Sequence, residues 1–173
     1  MKRNFRAWRQ QLLPPGYDAS VEVGWLALGG VIAFIYSLCV FAGELGKQLR
    51  WLDRVEKQPV PWMMPYYGEI LGTALWGFVI LAILALLLIP VHGAYWYQGS
   101  RSIYLMRRLP QRGELLRRTA GLPLLLAAAA LAAALLLLLL YYAIYCGCVP
   151  AERQPDGQWA ELLRIWFGKE RYF

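Results

Sequence analysis

Long apolar runs alternate with charged connectors along this chain. Residues 23–42 (VGWLALGGVIAFIYSLCVFA), 70–91 (ILGTALWGFVILAILALLLIPV) and 122–145 (LPLLLAAAALAAALLLLLLYYAIY) hold no Asp, Glu, Lys or Arg over 20, 22 and 24 positions. A helix needs about 20 apolar residues to cross the hydrocarbon core. Only helices and closed barrels satisfy their backbone groups where no water is present. The third run is nearly all Leu and Ala, which favour helix. The pattern predicts an all-α integral membrane protein with three transmembrane helices and short amphipathic interfacial segments.

The connectors divide the chain into a cytoplasmic tail (1–20), a three-span domain (21–145) with a cytoplasmic loop (92–121), and an outer interfacial tail (146–173). In the first, Phe5, Ala7, Trp8, Leu12 and Leu13 are interleaved with Lys2, Arg3, Arg6 and Arg9, until Pro14-Pro15-Gly16 ends the segment. That pattern suits a stretch lying on the inner leaflet. The apolar run after it is too long for the core of a cleavable signal peptide. Between the first two runs, Leu45, Leu49, Leu52 and Val55 recur at helical spacing. The first helix is therefore expected to continue outward, or a short amphipathic helix to follow it. Pro59, Pro61 and Pro65 force an irregular return. Trp159, Leu162, Leu163, Ile165, Trp166 and Phe167 give the tail an apolar side among its polar residues.

Composition agrees with the pattern. The chain is 59% hydrophobic and 17% charged, against about 25% charged in soluble domains. Its net charge of +7 is unevenly placed: residues 1–20 carry +3, residues 92–121 carry +5, and residues 43–69 and 146–173 are each neutral. Basic residues beside spans mark the cytoplasmic side, so the N-terminus and the 92–121 loop are expected inside. Trp25, Tyr95, Trp96 and Tyr97 would then sit at the inner interface. Trp51, Trp62, Tyr66, Tyr67, Tyr141, Tyr142 and Tyr145 would sit at the outer one. Anionic lipid and topology account for the positive charge, and nucleic acid is not expected as a partner. The expected location is the cell membrane, as a multi-pass protein of a bacterial cytoplasmic membrane.

Little in the sequence points to catalysis. No HExxH, GxSxG or GxxxxGK[ST] occurs, and no enzyme activity or cofactor is expected. The single histidine, His92, lies at the inner end of the second run and reads as structural or interfacial. Cys39, Cys146 and Cys148 fall at similar depth at the outer side. A bridge from Cys39 to Cys146 or Cys148 is geometrically feasible, and small apolar fillers are the preferred reading. Gly68, Gly72, Thr73 and Gly77 repeat small residues four apart, a spacing that lets helices approach closely. Ala129, Ala130, Ala133 and Ala134 would give the third helix a similar face. These surfaces would pack within the chain, or against a further membrane subunit or a second copy.

The cytoplasmic loop has the most distinctive order. In SIYLMRRLPQRGELLRR (102–118), Ile103, Met106 and Leu109 would share one face of a short helix that Pro110 ends. An amphipathic segment, then Leu-Pro, then spaced basic residues leading into a span resembles the cytoplasmic coupling segment of ABC type-2 exporter permeases. Ser102 stands at the family's Thr position, and Leu105, Met106, Leu109 and Pro110 follow. Arg112, Arg117 and Arg118 match its basic positions. Arg101 stands where the family has Gly, and Gln98 near where it has an acid. The permeases have six spans and this chain has three, so it resembles a half-length subunit, and also small membrane proteins that accompany ABC ATPases. The resemblance implies that Ser102, Ile103, Tyr104, Leu105, Met106, Arg107, Arg108, Leu109, Pro110 and Arg112 dock on an ABC ATPase subunit. This chain would then be a non-catalytic membrane subunit of an ABC-type exporter. On the alternative reading the loop is only a positive anchor, in a small structural or regulatory protein of another membrane complex.

Overall fold

Apolar sequence without breakers runs on as helix, and the computed structural model follows it; residues 19–55, 63–97 and 112–167 are described. Every regular element among them is helical: α1 (Ser20–Val55), α2 (Tyr67–Leu71), α3 (Trp76–Tyr97), α4 (Arg112–Cys148), a 3-10 turn (Ala151–Arg153) and α5 (Gln158–Phe167). Three helical stretches, Ser20–Arg54, Trp76–Ala94 and Leu116–Cys148, are long and apolar enough to cross a membrane. At 1.5 Å per residue, the 36 residues of α1 reach about 54 Å, well beyond a hydrocarbon core of about 30 Å. The first helix therefore does continue past its apolar run. Leu45 is buried, Leu49 and Leu52 are half-buried, and Lys47 pairs with Glu44 at 2.6 Å on the charged side.

The second apolar run is not one helix. It opens with the single turn and a half of α2, breaks at residues 72–75, and resumes as α3. The break is set at Gly72, whose φ of 45° and ψ of −118° suit a residue without a Cβ. Gly68 lies inside α2 and Gly72 caps it, so these two do not form a continuous spanning face. Pro90 and Pro123 lie inside α3 and α4.

The chain forms two compact units. One comprises Met1–Val31 and Phe78–Ala133. In its core, Ala82 and Ala85 of α3 meet Ala127 and Ala130 of α4, with Leu26, Leu81 and Leu126 packed around them. Of the four alanines expected to line α4, Ala130 and Ala134 are buried, Ala133 is half-buried and Ala129 is exposed. The buried stripe instead follows Pro123, Ala127, Ala130, Ala134, Leu137, Leu138, Tyr141 and Tyr145, at spacings of three and four, the period of one helix face.

The other unit comprises Ile32–Gly77 and Ala134–Phe173. Here α1 buries Ala33, Ser37, Phe41 and Leu45, four apart. Gly77 of α3 lies against Ala33 so closely that a Cβ there would fall 3.0 Å from the Ala33 Cβ. The short α2 packs against α5. Outside these cores the spanning helices expose Leu, Ile, Val and Trp along most of their length, Leu136 at 69% and Ile32 at 59% among them. Apolar exposure this continuous belongs in lipid rather than in water.

Candidate functional site

Each unit builds a buried polar cluster. In the first, the N-terminal turn of α1 carries Glu22, the far part of α3 carries His92, and α4 presents the Thr119 carbonyl. The His92 ring is fully buried. Its Nε2 lies 2.9 Å from Glu22 Oε2, and its Nδ1 lies 3.2 Å from the Thr119 carbonyl oxygen. The lone histidine is thus held at both ring nitrogens, by an acidic residue 70 positions away and by main chain 27 positions away. The Glu22 carboxylate is 18% exposed. Gly93, beside His92, faces the Thr119 methyl at 3.9 Å from where a Cβ would stand.

In the second unit, Tyr67, Tyr141 and Tyr145 are completely buried. They form a core rather than the outer aromatic belt expected from the sequence, because each is engaged inside the protein. The Tyr67 hydroxyl donates to the Leu138 carbonyl at 2.6 Å. Its backbone N–H donates to Gln158 Oε1 at 2.8 Å. Gln158 Nε2 donates to the Pro155 carbonyl at 3.0 Å and to the Tyr145 hydroxyl at 3.3 Å. Tyr145 in turn donates to the Pro65 carbonyl at 3.1 Å. One buried amide thus joins α2, α4 and α5. Deeper in the unit, Ser37 Oγ and the Tyr141 hydroxyl lie 3.0 Å apart, and the Tyr141 ring stacks on Phe41 at 4.2 Å.

Two further contacts close this end. Gln154 Nε2 donates to the Val149 carbonyl at 2.8 Å and to Cys146 at 3.3 Å, occupying carbonyls that the end of α4 leaves unpaired. The Met64 N–H donates to the Arg153 carbonyl at 3.0 Å, tying the approach to α2 to the 3-10 turn. An open groove of about 380 Å³ lies beside Tyr142, Gln154, Asp156 and Trp159. Burial, then the neighbouring Tyr141 and Cys146, push the Tyr67 hydroxyl well above the ordinary tyrosine range.

Of the residues singled out in the sequence, Gly68, Gly72, Thr73 and Gly77 lie together in the second unit. Thr73 Oγ1 is 3.1 Å from the Tyr36 hydroxyl, and Gly77 meets Ala33 as described. Cys39, Cys146 and Cys148 are all free thiols. Arg112 opens α4, with Arg117 exposed and Arg118 half-buried along its first turns. Ser102, Ile103, Tyr104, Leu105, Met106, Arg107, Arg108, Leu109 and Pro110 lie outside the described residues, as does the amphipathic stretch at the N-terminus. Among the described residues, no group of three His, Cys, Asp or Glu side chains could hold a metal ion.

Sequence reasoning passed over Glu22, Ser37 and Gln158. Glu22 had a usable signal: it is an acid at the edge of an uncharged run, at the same expected depth as the lone histidine. Tyr141 and Tyr145, four apart on a leucine-rich helix, also mark a single face. Ser37 and Gln158 carry no comparable mark. In comparisons with known proteins, no family model, no curated protein and no solved structure matches the chain.

Proposed function

We propose that this chain is a non-catalytic membrane subunit of an ABC-type exporter, resident in the cell membrane and coupled to an ATPase through residues 102–118. The observation that carries the reading is the order along the chain. Two apolar helices come first, then the Leu-Pro step with its spaced arginines, and then α4, which starts within that basic stretch and continues as the third apolar helix. A force applied to a segment continuous with a 37-residue helix is passed directly along that helix. In this reading the N-terminus and the 92–121 loop are cytoplasmic, and α2, α5 and the tail lie at the outer surface. The segments at 1–20 and 146–173 lie along the two interfaces. Apolar residues interleaved with arginine along 102–112 suit docking into a groove on a soluble partner.

The test is affinity purification from a C-terminally tagged chain in mild detergent. An ABC ATPase should co-purify in stoichiometric yield. Leu109→Asp and Met106→Asp should each lower its recovery about tenfold or more, with membrane insertion unchanged. Full recovery of the ATPase with both variants ends the coupling reading. Recovery of the chain alone, or with unrelated membrane proteins, makes the loop a positive anchor in a structural or regulatory protein.

A further inference from the structure

We propose that the open groove between the end of α4 and the start of α5 binds an organic ammonium group, its positive charge set against the rings of Tyr142 and Trp159 and countered by Asp156. The groove holds about 380 Å³, within the range of small-molecule sites, about 300–1,000 Å³. Both rings border it, with centroids 4.7 Å apart and planes inclined by 52°, so they make a corner rather than a closed stack. Trp159 is 39% exposed and Tyr142 is half-buried, which leaves ring surface open on each. The fully buried Tyr67 backs the pair, 5.3 Å from Tyr142 and 6.4 Å from Trp159 between centroids. The quadrupole of Trp and Tyr rings attracts a cation to their faces.

Charge decides the sign of the ligand. Among the described residues lining the groove, Asp156 is the one with a formal charge, and no Lys or Arg joins it. It is exposed, and its carboxylate makes no hydrogen bond or ion pair among the described residues. Gln154 turns its Nε2 hydrogens to the Val149 and Cys146 carbonyls, which leaves its Oε1 as a second acceptor. Gln158 is already used on Tyr67, Pro155 and Tyr145. The first turn of α5 also borders the groove, and a helix N-terminus favours an anion, but an anion there would meet the Asp156 carboxylate. Ca²⁺ takes about six to eight oxygen ligands, and among the described residues no group of three His, Cys, Asp or Glu side chains could hold a metal. An organic ammonium needs only ring faces and one counter-charge. This inference does not rest on the exporter reading.

The test is a titration of the full-length chain, purified in a detergent without an ammonium group, with choline chloride. Saturation transfer from the protein to the choline methyl protons reads the binding. Choline should bind saturably, and its uncharged carbon analogue 3,3-dimethyl-1-butanol should bind at least about fivefold more weakly. Trp159→Ala and Asp156→Asn should each weaken choline binding by about fivefold or more. Trp159 touches the buried Tyr67, so should its alanine variant not fold, Asp156→Asn, at an exposed position, decides the matter. Phosphatidylcholine in mixed micelles distinguishes the source of the ammonium group. If it displaces choline, the groove takes a lipid headgroup; if it does not, the ligand is a soluble ammonium compound. Absence of saturable choline binding, equal binding of the uncharged analogue, or affinity unchanged by Asp156→Asn overturns the inference.

Discussion

Tyr67 directs both of its polar groups to partners far along the chain, its hydroxyl to Leu138 and its N–H to Gln158. Removing the hydroxyl in Tyr67→Phe should cost about 1 kcal/mol, the net value of one buried hydrogen bond. Gln158→Leu should cost more, about 1–3 kcal/mol, because it leaves the buried Tyr67 N–H without an acceptor. Reversible unfolding in detergent would measure both. Tyr67 also implies a pH dependence. Burial favours its neutral form in the folded protein, whereas an unfolded tyrosine ionises near about pH 10. The associated stability is therefore intact below about pH 10 and is lost as the pH rises beyond it. Tyr67→Phe should flatten that alkaline decline, as read from the Tm against pH and from tyrosinate absorbance.

Among the elements, the glycines separate into two kinds. Gly72 ends α2 in a conformation that side chains rarely adopt, so Gly72→Ala should destabilise by about 1–3 kcal/mol. Gly77→Val would drive a side chain into the Ala33 backbone and should cost a similar amount through overpacking, about 1–3 kcal/mol. Gly147, by contrast, is exposed near the end of α4 with open space where a Cβ would stand. Gly147→Ala should be neutral, or stabilise by up to about 1 kcal/mol through helix propensity. If all three substitutions behaved alike in thermal unfolding, neither the break at Gly72 nor the close approach at Gly77 would be a constraint on the fold.

For the whole molecule, the accessible question is which side each connector faces. Cys148 is an exposed thiol at the C-terminal end of α4, and Cys39 is an exposed thiol midway along α1. A charged, membrane-impermeant maleimide applied to intact cells should label Cys148. A cysteine introduced by Ser102→Cys, in a chain lacking the native three, should label only after permeabilisation. Labelling of that position in intact cells would reverse the orientation read from the arginines and remove the loop from any cytoplasmic ATPase.

Three spanning helices were legible in the sequence because the property that makes them is local. A run of some 20 apolar residues is helical and lipid-seeking whatever it packs against. The break inside the second run was only half legible: Gly72 was visible, but its left-handed conformation was not. The polar clusters lay beyond local reading. Glu22 and His92 are 70 positions apart, Tyr67 and Gln158 are 91 apart, and Ser37 and Tyr141 are 104 apart. No periodicity links such partners. Tyrosines placed at a lipid interface by their position along the chain became a hydrogen-bonded core instead, because Gln158 of α5 holds Tyr67 and Tyr145, and Ser37 and Phe41 of α1 hold Tyr141. The chain by itself determined which helices are long and apolar enough to cross a membrane, since that depends on local composition. Tertiary structure alone decided which polar groups meet, since a buried donor is stable only beside an acceptor, and that acceptor comes from another helix.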